Sequence, residues 1–318
     1  MLKKTMGVCA LAAALMVTSV GCGAKKDTVT ETVKETAAVQ EMVEDYTKLA
    51  EDQDVVNILL IGEDSYPEEK MDKEEDRDFY SDTVIVASFQ RTQEKMVLTS
   101  LVAETVVDIP GVGEERLKVA YNEGGAELLK ETVEKNFNIK IDGVMETEFL
   151  DYVKIVDAVD GLTINVEADE VKGVNALIEE INGHLEEEEQ SALIEKAGEQ
   201  VLNGVQALAY TRYNGEGKVK RAEYSRTVLQ EKMYNLQKMD QEKLLEVANI
   251  FMEEVETDLT DDEMLSLCLE GMVLGAEEFE MHSIPDELEF TEEMKDKLLY
   301  VTADLAECQK YINEVIYK

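Results

Sequence analysis

Two aspartates and a short run of cations are the residues of this chain best suited to chemistry. Asp64 follows the apolar run "NILLIG", and Asp82 opens "DTVIVAS". In an open α/β sheet, ligands gather at the ends of the strands. Two carboxylates meeting there suit Mg2+, a hard cation that commonly takes one or two carboxylates together with phosphate oxygens. Further along, "TRYNGEGKVKRAEYSR" carries Arg212, Lys218, Lys220, Arg221 and Arg226. A divalent ion beside clustered arginine and lysine is an arrangement that holds a pyrophosphate and stabilises charge during phosphoryl transfer. Each signal also has an ordinary counterpart. Asp64 reads equally as a turn residue, Asp82 as a loop cap and the cations as a solvated helix face.

The cations stand out because the chain around them is acidic. Its 318 residues include 31 Lys and Arg against 71 Asp and Glu, a formal net charge of −40. A ligand of the basic segment is attracted locally within a field of opposite sense. That balance excludes nucleic acid, whose binding requires a basic footprint. The acidity otherwise serves solubility. With 44% hydrophobic and 32% charged residues, the composition is globular. The two histidines, His184 and His282, lie far apart without a metal-ligand neighbour, which argues against zinc. His184 reads as a surface residue and His282 as part of a strand. No nucleophile elbow, Walker loop or dinucleotide fingerprint is present.

The elements that must position these residues follow from the apolar pattern. Lys3 and Lys4 precede the apolar run 6–20, then Gly21 and Cys22. Residues 1–22 therefore read as a lipoprotein-type signal peptide with Cys22 acylated, although Ser19 departs from the usual aliphatic residue. The alternatives are ordinary secretion or an uncleaved anchor. Either way the body lies outside the cytoplasmic membrane. Residues 23–53 form a polar stalk, and the folded domain occupies 54–318. Cys268 and Cys308 read as buried thiols, with a disulfide permitted by the compartment.

Within the domain, "VVNILLIG", "DTVIVASF" and "KMVLTSLV" predict buried strands. A helix is expected over 126–136, and "VMETEF" and "LTINV" predict strands on either side of a helix in "LDYVKIVDAV". An acidic helix is expected over 172–197. Further helices follow at about 222–238, 241–256 and 261–272. Strands near 279–283 and 299–302 precede a last helix. The alternation predicts a single α/β domain with a central mixed β-sheet flanked by helices.

Read in order, these segments resemble the LytR–CpsA–Psr family of bacterial envelope proteins. The resemblance runs from about Asn57 to the C-terminus, through "NILLIGEDS", "YSDTVIVAS", "LTSLVAETVVDIPG", "KVAYNEGGAELL", "FLDYVKIVDAVDGLTINV", "LNGVQALAYTR", "RAEYSRTVLQ" and "VETDLTDDEMLSL". It implies an α/β fold whose hydrophobic cleft accepts a polyprenyl pyrophosphate. It also implies transfer of a glycopolymer from that carrier to peptidoglycan through a phosphodiester bond, on the outer face of the bacterial cytoplasmic membrane. Asp64 and Asp82 match the family's Mg2+-binding aspartates. Arg212, Arg221 and Arg226 match arginines of the pyrophosphate site, with Lys218 and Lys220 beside them. The catalytic candidates are Glu104, as base for a sugar hydroxyl, and Arg212 and Arg221, as charge stabilisers.

The match departs from the family at several places. Ala103-Glu104 stands where the family has Arg-Asp, Tyr66, Tyr80 and Tyr224 stand at arginine positions, and Lys218 stands at an aspartate position. Alanine and tyrosine offer phosphate no cation. Two expectations result: a glycopolymer–peptidoglycan transferase with an altered site, or a pseudoenzyme that binds the lipid pyrophosphate as an envelope regulator. A solute-binding lipoprotein would share the acylated cysteine and the sheet, but would not account for the ordered motifs.

Overall fold

Short apolar runs ended by glycine or polar turns become strands because they bury both faces of a pleated ribbon. The computed structural model describes residues 54–63, 81–213, 227, 228, 231, 232, 235, 236, 238, 239, 241–273, 279–296 and 298–317. The described residues fall into two units, one within Asp54–Asp258 and Leu274–Lys318 and the other within Leu259–Val273.

In the larger unit the chain begins with β1 (Val55–Glu63), β2 (Ser81–Gln90) and β3 (Lys95–Leu101). A hairpin of β4 (Val106–Ile109) and β5 (Gly113–Arg116) leads into helix α1 (Leu117–Phe137). Then come β6 (Gly143–Thr147), α2 (Phe149–Ala158), β7 (Leu162–Val166), α3 (Val171–Asn182), β8 (Gly198–Leu202) and α4 (Gly204–Arg212). Helix α5 (Gln241–Glu254) and the short β9 (Glu256–Thr257) complete this stretch. The smaller unit contains α6 (Asp261–Val273). The larger unit resumes with β10 (Phe279–Ile284), β11 (Phe290–Lys295), β12 (Leu298–Ala303) and α7 (Leu305–Tyr317). Among the described residues, no helix is long and apolar enough to cross a membrane.

The central sheet has the order β10-β3-β2-β1-β6-β9. β1 runs parallel to β6 and antiparallel to β2, while β3 runs antiparallel to β2 and parallel to β10. The carboxyl ends of β1, β3, β6 and β10 therefore share one edge with the amino end of β2. One face of the sheet, through Leu59, Ile61, Val84, Val86 and Leu101, packs with α1 and α7 into a core that includes Phe137 and Ile312. A second core joins α2, α3 and α4 to the β7–β8 hairpin. The last turn of α7 is tied to the sheet by Gln90, whose Nε2 donates to the carbonyls of Val315 (3.0 Å) and Ile316 (2.7 Å). Those carbonyls have no partner within the helix and need one from outside.

Several expectations are corrected. The acidic helix expected over 172–197 stops at Asn182. The "EEEEQ" run beyond it concentrates like charges that would repel along a helix face. The following loop is instead held by side chains. Asn182 Oδ1 accepts from Ser191 N at 2.8 Å, and Asn175 Oδ1 accepts from Ile194 N at 2.8 Å. The strand in "VMETEF" ends at Thr147, and its Phe149 opens α2. The β4–β5 hairpin, β8 and β11 were not expected, whereas β12 falls on the strand expected near 299–302. Most of the helix expected at 222–238 lies outside the described residues. Cys268 and Cys308 are free thiols, and His282 lies in β10.

Candidate functional site

At the carboxyl edge of the sheet the β1–β2 ladder breaks its register. Gly62 pairs with Thr83 and Glu63 with Ser81, so Asp82 is the extra residue of a bulge. A bulge re-aims side chains and is common beside active sites. The approach is close: a Cβ on Gly62 would meet Thr83 Cβ at 3.0 Å. The Asp82 side chain and the whole of Asp64, the residue after β1, lie outside the described residues. On the other side of β2, the last pair with β3 is Ile85 and Ser100. Asp82 lies three residues before the first and Ala103 three after the second, which brings the 102–105 turn to the edge that carries the bulge.

The first turn of α1 is clamped to that turn. Leu117 N donates to Thr105 O at 2.8 Å and Lys118 N to Ala103 O at 3.0 Å. Lys118 Nζ lies 3.9 Å from Glu104 Oε1, with the two side chains only 14% and 21% exposed. Glu104 thus faces a cation, and its main-chain carbonyl accepts from Val301 N at 2.9 Å. One turn on, Tyr121 Oη donates to Glu146 Oε2 at 2.8 Å. Burial, and then the Glu146 carboxylate, hold the Tyr121 hydroxyl well above its ordinary range.

Acidic groups crowd the β6 side of the edge. Burial raises the Glu146 carboxyl, and Glu256 and Asp258 add to the rise against the Tyr121 hydrogen bond. Burial likewise raises Glu148, followed by repulsion from Glu63 and Glu256. Oxygen-rich, mutually repelling groups of this kind suit a hard cation. Among the described residues, no group of three or more His, Cys, Asp or Glu is arranged to hold a metal. The Asp64 and Asp82 carboxylates, whose chemistry fits Mg2+, lie outside the described residues.

Arg212 closes α4 and reaches the same edge from the other side. Its guanidinium carbon lies 4.7 Å from the centre of the Phe149 ring, and Nη1 lies 3.1 Å from Glu180 Oε1. The side chain is 16% exposed. Phe149 lies two residues past the end of β6, which pairs with β1. The structure therefore brings Glu104 and Arg212 to one sheet edge, on opposite sides of the Asp82 bulge. Arg221, Arg226, Lys218, Lys220, Asp64 and Cys22 lie outside the described residues.

The sequence reading missed Lys118, Tyr121 and Glu146. It began the helix at Ala126, because the actual α1 is broken at Gly124 and Gly125, the latter at φ 64°. The buried pair Leu117 and Ala120, at helical spacing, is the signal that extends the helix backward.

A model of the LytR_cpsA_psr family matches residues 17–315 of the chain. The regulatory protein MsrR of Staphylococcus aureus is 26% identical over 237 residues, covering 72% of this chain and 64% of its own length. The polyisoprenyl-teichoic acid–peptidoglycan teichoic acid transferase TagU of Oceanobacillus iheyensis is 29% identical over 231 residues, covering 69% of this chain and 64% of its own. The chain thus spans under two thirds of the length of these relatives. Among solved structures, Bacillus subtilis TagT with bound octaprenyl pyrophosphate lipid superposes with a TM-score of 0.59 at 20% identity, covering 83% of this chain and 91% of that one. The likeness to TagT is one of fold.

Proposed function

The chain belongs to the LytR–CpsA–Psr family, and from that premise we propose that it transfers a glycopolymer from a polyprenyl pyrophosphate carrier to peptidoglycan. The observation that carries this reading is the convergence on one sheet edge of the Asp82 bulge, the Glu104–Lys118 pair and Arg212. TagU is named for transfer of teichoic acid to peptidoglycan, and TagT holds an octaprenyl pyrophosphate lipid.

In the reaction a peptidoglycan hydroxyl attacks the phosphorus that bears the glycopolymer. Glu104 accepts the hydroxyl proton. A phosphodiester forms as the bond to the bridging oxygen breaks, and polyprenyl phosphate leaves. Arg212, fixed by the Phe149 ring and Glu180, is aimed before the ligand arrives, so it stabilises developing charge without reorganising. Arg221, Arg226, Lys218 and Lys220 add positive charge around the pyrophosphate. Asp64 and Asp82 would hold Mg2+, which when bound neutralises phosphate charge. The body faces outward from the cytoplasmic membrane, held by acylated Cys22 or by an uncleaved anchor.

A second reading has its own observation. Ala103 is 5% exposed at a position where the family resemblance implies arginine. It favours a pseudoenzyme that binds the lipid pyrophosphate and regulates the envelope. The test is to incubate the full chain in detergent with a polyprenyl-pyrophosphate-linked glycopolymer, peptidoglycan fragments and Mg2+. Release of polyprenyl phosphate with conjugate formation supports the transferase. Binding without release supports the pseudoenzyme, and absence of binding overturns both.

A further inference from the structure

The cation missing at Ala103 has a neighbour that carries one. Lys118 N donates to Ala103 O at 3.0 Å, so the two residues are joined through their backbones. Lys118 Nζ then reaches to 3.9 Å from Glu104 Oε1, the residue after the alanine. At that separation the contact is electrostatic rather than a hydrogen bond. We propose that Lys118 is a pyrophosphate-binding residue of this site, supplying beside Glu104 the positive charge that Ala103 lacks. The proposal rests on the reading that the site takes a lipid pyrophosphate.

Three features of the chain support it. Lys118 is 14% exposed and faces Glu104, so its ammonium is held at this edge before a ligand arrives. The residue also stands in the first turn of α1, which holds no acidic residue. A cation there opposes the helix dipole, and departures from local preference concentrate at functional positions. Finally, the edge is crowded with the carboxylates of Glu63, Glu104, Glu146 and Glu148, so an anionic ligand needs compensating charge on the β3 side as well as from Arg212 on the β6 side. Lysine meets phosphate as a point charge and not as a bidentate fork. It would therefore contribute affinity while demanding little of the ligand's orientation.

The test measures binding of geranylgeranyl pyrophosphate to the full chain in detergent with Mg2+, for wild type, Lys118→Gln, Lys118→Arg and the double variant Lys118→Gln/Ala103→Arg. Losing one charged hydrogen bond should weaken binding by about ten- to a hundredfold in Lys118→Gln. Lys118→Arg should stay within a few-fold of wild type, and Ala103→Arg should restore the loss. Wild-type affinity in folded Lys118→Gln overturns the role of Lys118 and leaves the ligand reading standing. Failure of wild type to bind overturns the ligand reading, and this proposal with it.

Should Lys118→Gln fail to fold, the wild-type protein still decides. Acylation of Lys118, followed by peptide mass spectrometry, should fall several-fold with geranylgeranyl pyrophosphate and stay unchanged with geranylgeraniol. Bound pyrophosphate without protection overturns the role of Lys118.

Discussion

Arg212 and Glu104 differ in what their neighbours allow them to do. The Arg212 guanidinium is stacked on Phe149 and bonded to Glu180, so its planar shape matters as much as its charge. Arg212→Lys should therefore behave as a loss, lowering the rate of polyprenyl phosphate release by about 10²- to 10³-fold, the usual effect of removing a charge-stabilising donor. A lysine variant with wild-type turnover would remove Arg212 from the mechanism. Glu104→Gln keeps the shape and hydrogen-bonding capacity of the side chain but cannot take the acceptor's proton. Single-turnover release should slow by about 10²-fold or more while affinity for the lipid pyrophosphate holds. An equal loss of affinity would indicate that Glu104 only positions Lys118.

Helix α4 is an element whose sequence states its own start. Asn203 and Gln206 form a capping box, with Asn203 Oδ1 accepting from Gln206 N at 3.0 Å and Gln206 Oε1 accepting from Asn203 N at 3.1 Å. Asn203→Ala should cost about 1 kcal/mol in denaturant melts. The next residue shows what pattern alone does not reveal. A Cβ on Gly204 would sit 2.3 Å from Val153 O, so α2 and α4 touch backbone to backbone there. Gly204→Ala should destabilise the protein by about 1–3 kcal/mol. It should also slow release, because Arg212 at the other end of the same helix is displaced from Phe149. A variant as stable and active as wild type would show that the helices separate freely. The strand in "LTINV" was legible because its alternation matches a half-buried ribbon, with Leu162, Ile164 and Val166 buried. The end of α3 was less legible, since an acidic run suits both a solvated helix and a polar loop.

For the whole molecule, charge sets the response to pH and salt. Asp151 on α2 and Glu254 on α5 both meet Lys154, at 3.2 and 2.5 Å. Burial, then the hydrogen bond shared with Glu254, pushes the Asp151 carboxyl from 3.8 up to about 6. The folded protein therefore keeps a proton that the unfolded chain releases. The stability tied to it is fully present below about pH 3.8 and is lost as pH rises through about 6. Asp151→Asn should flatten the fall in Tm across that window, and an unchanged profile would assign the pH dependence to other groups. With a net charge of −40, self-repulsion also acts against the folded chain. Raising NaCl from ~0.01 to ~0.15 M shortens the screening length from about 30 to 8 Å. Tm should rise over that range, and a flat response would mean that the charges are already locally compensated.

The amino-acid sequence by itself determined the central sheet, the family and the strand that carries Asp82. Those features are written in contiguous residues: short apolar runs ended by glycine, such as "NILLIG", favour buried strands, and ordered motifs survive substitution at single positions. Only the tertiary structure decided which side chains meet. Lys118 reaches Glu104 because the 102–105 turn and the first turn of α1 are clamped by hydrogen bonds. Arg212 stacks on Phe149, and Tyr121 bonds Glu146, because α4 and the kinked α1 return to one edge of the sheet. Strand direction, register and the break at Gly125 govern those meetings, and each is set by packing between segments far apart in the chain rather than by the pattern within any one of them.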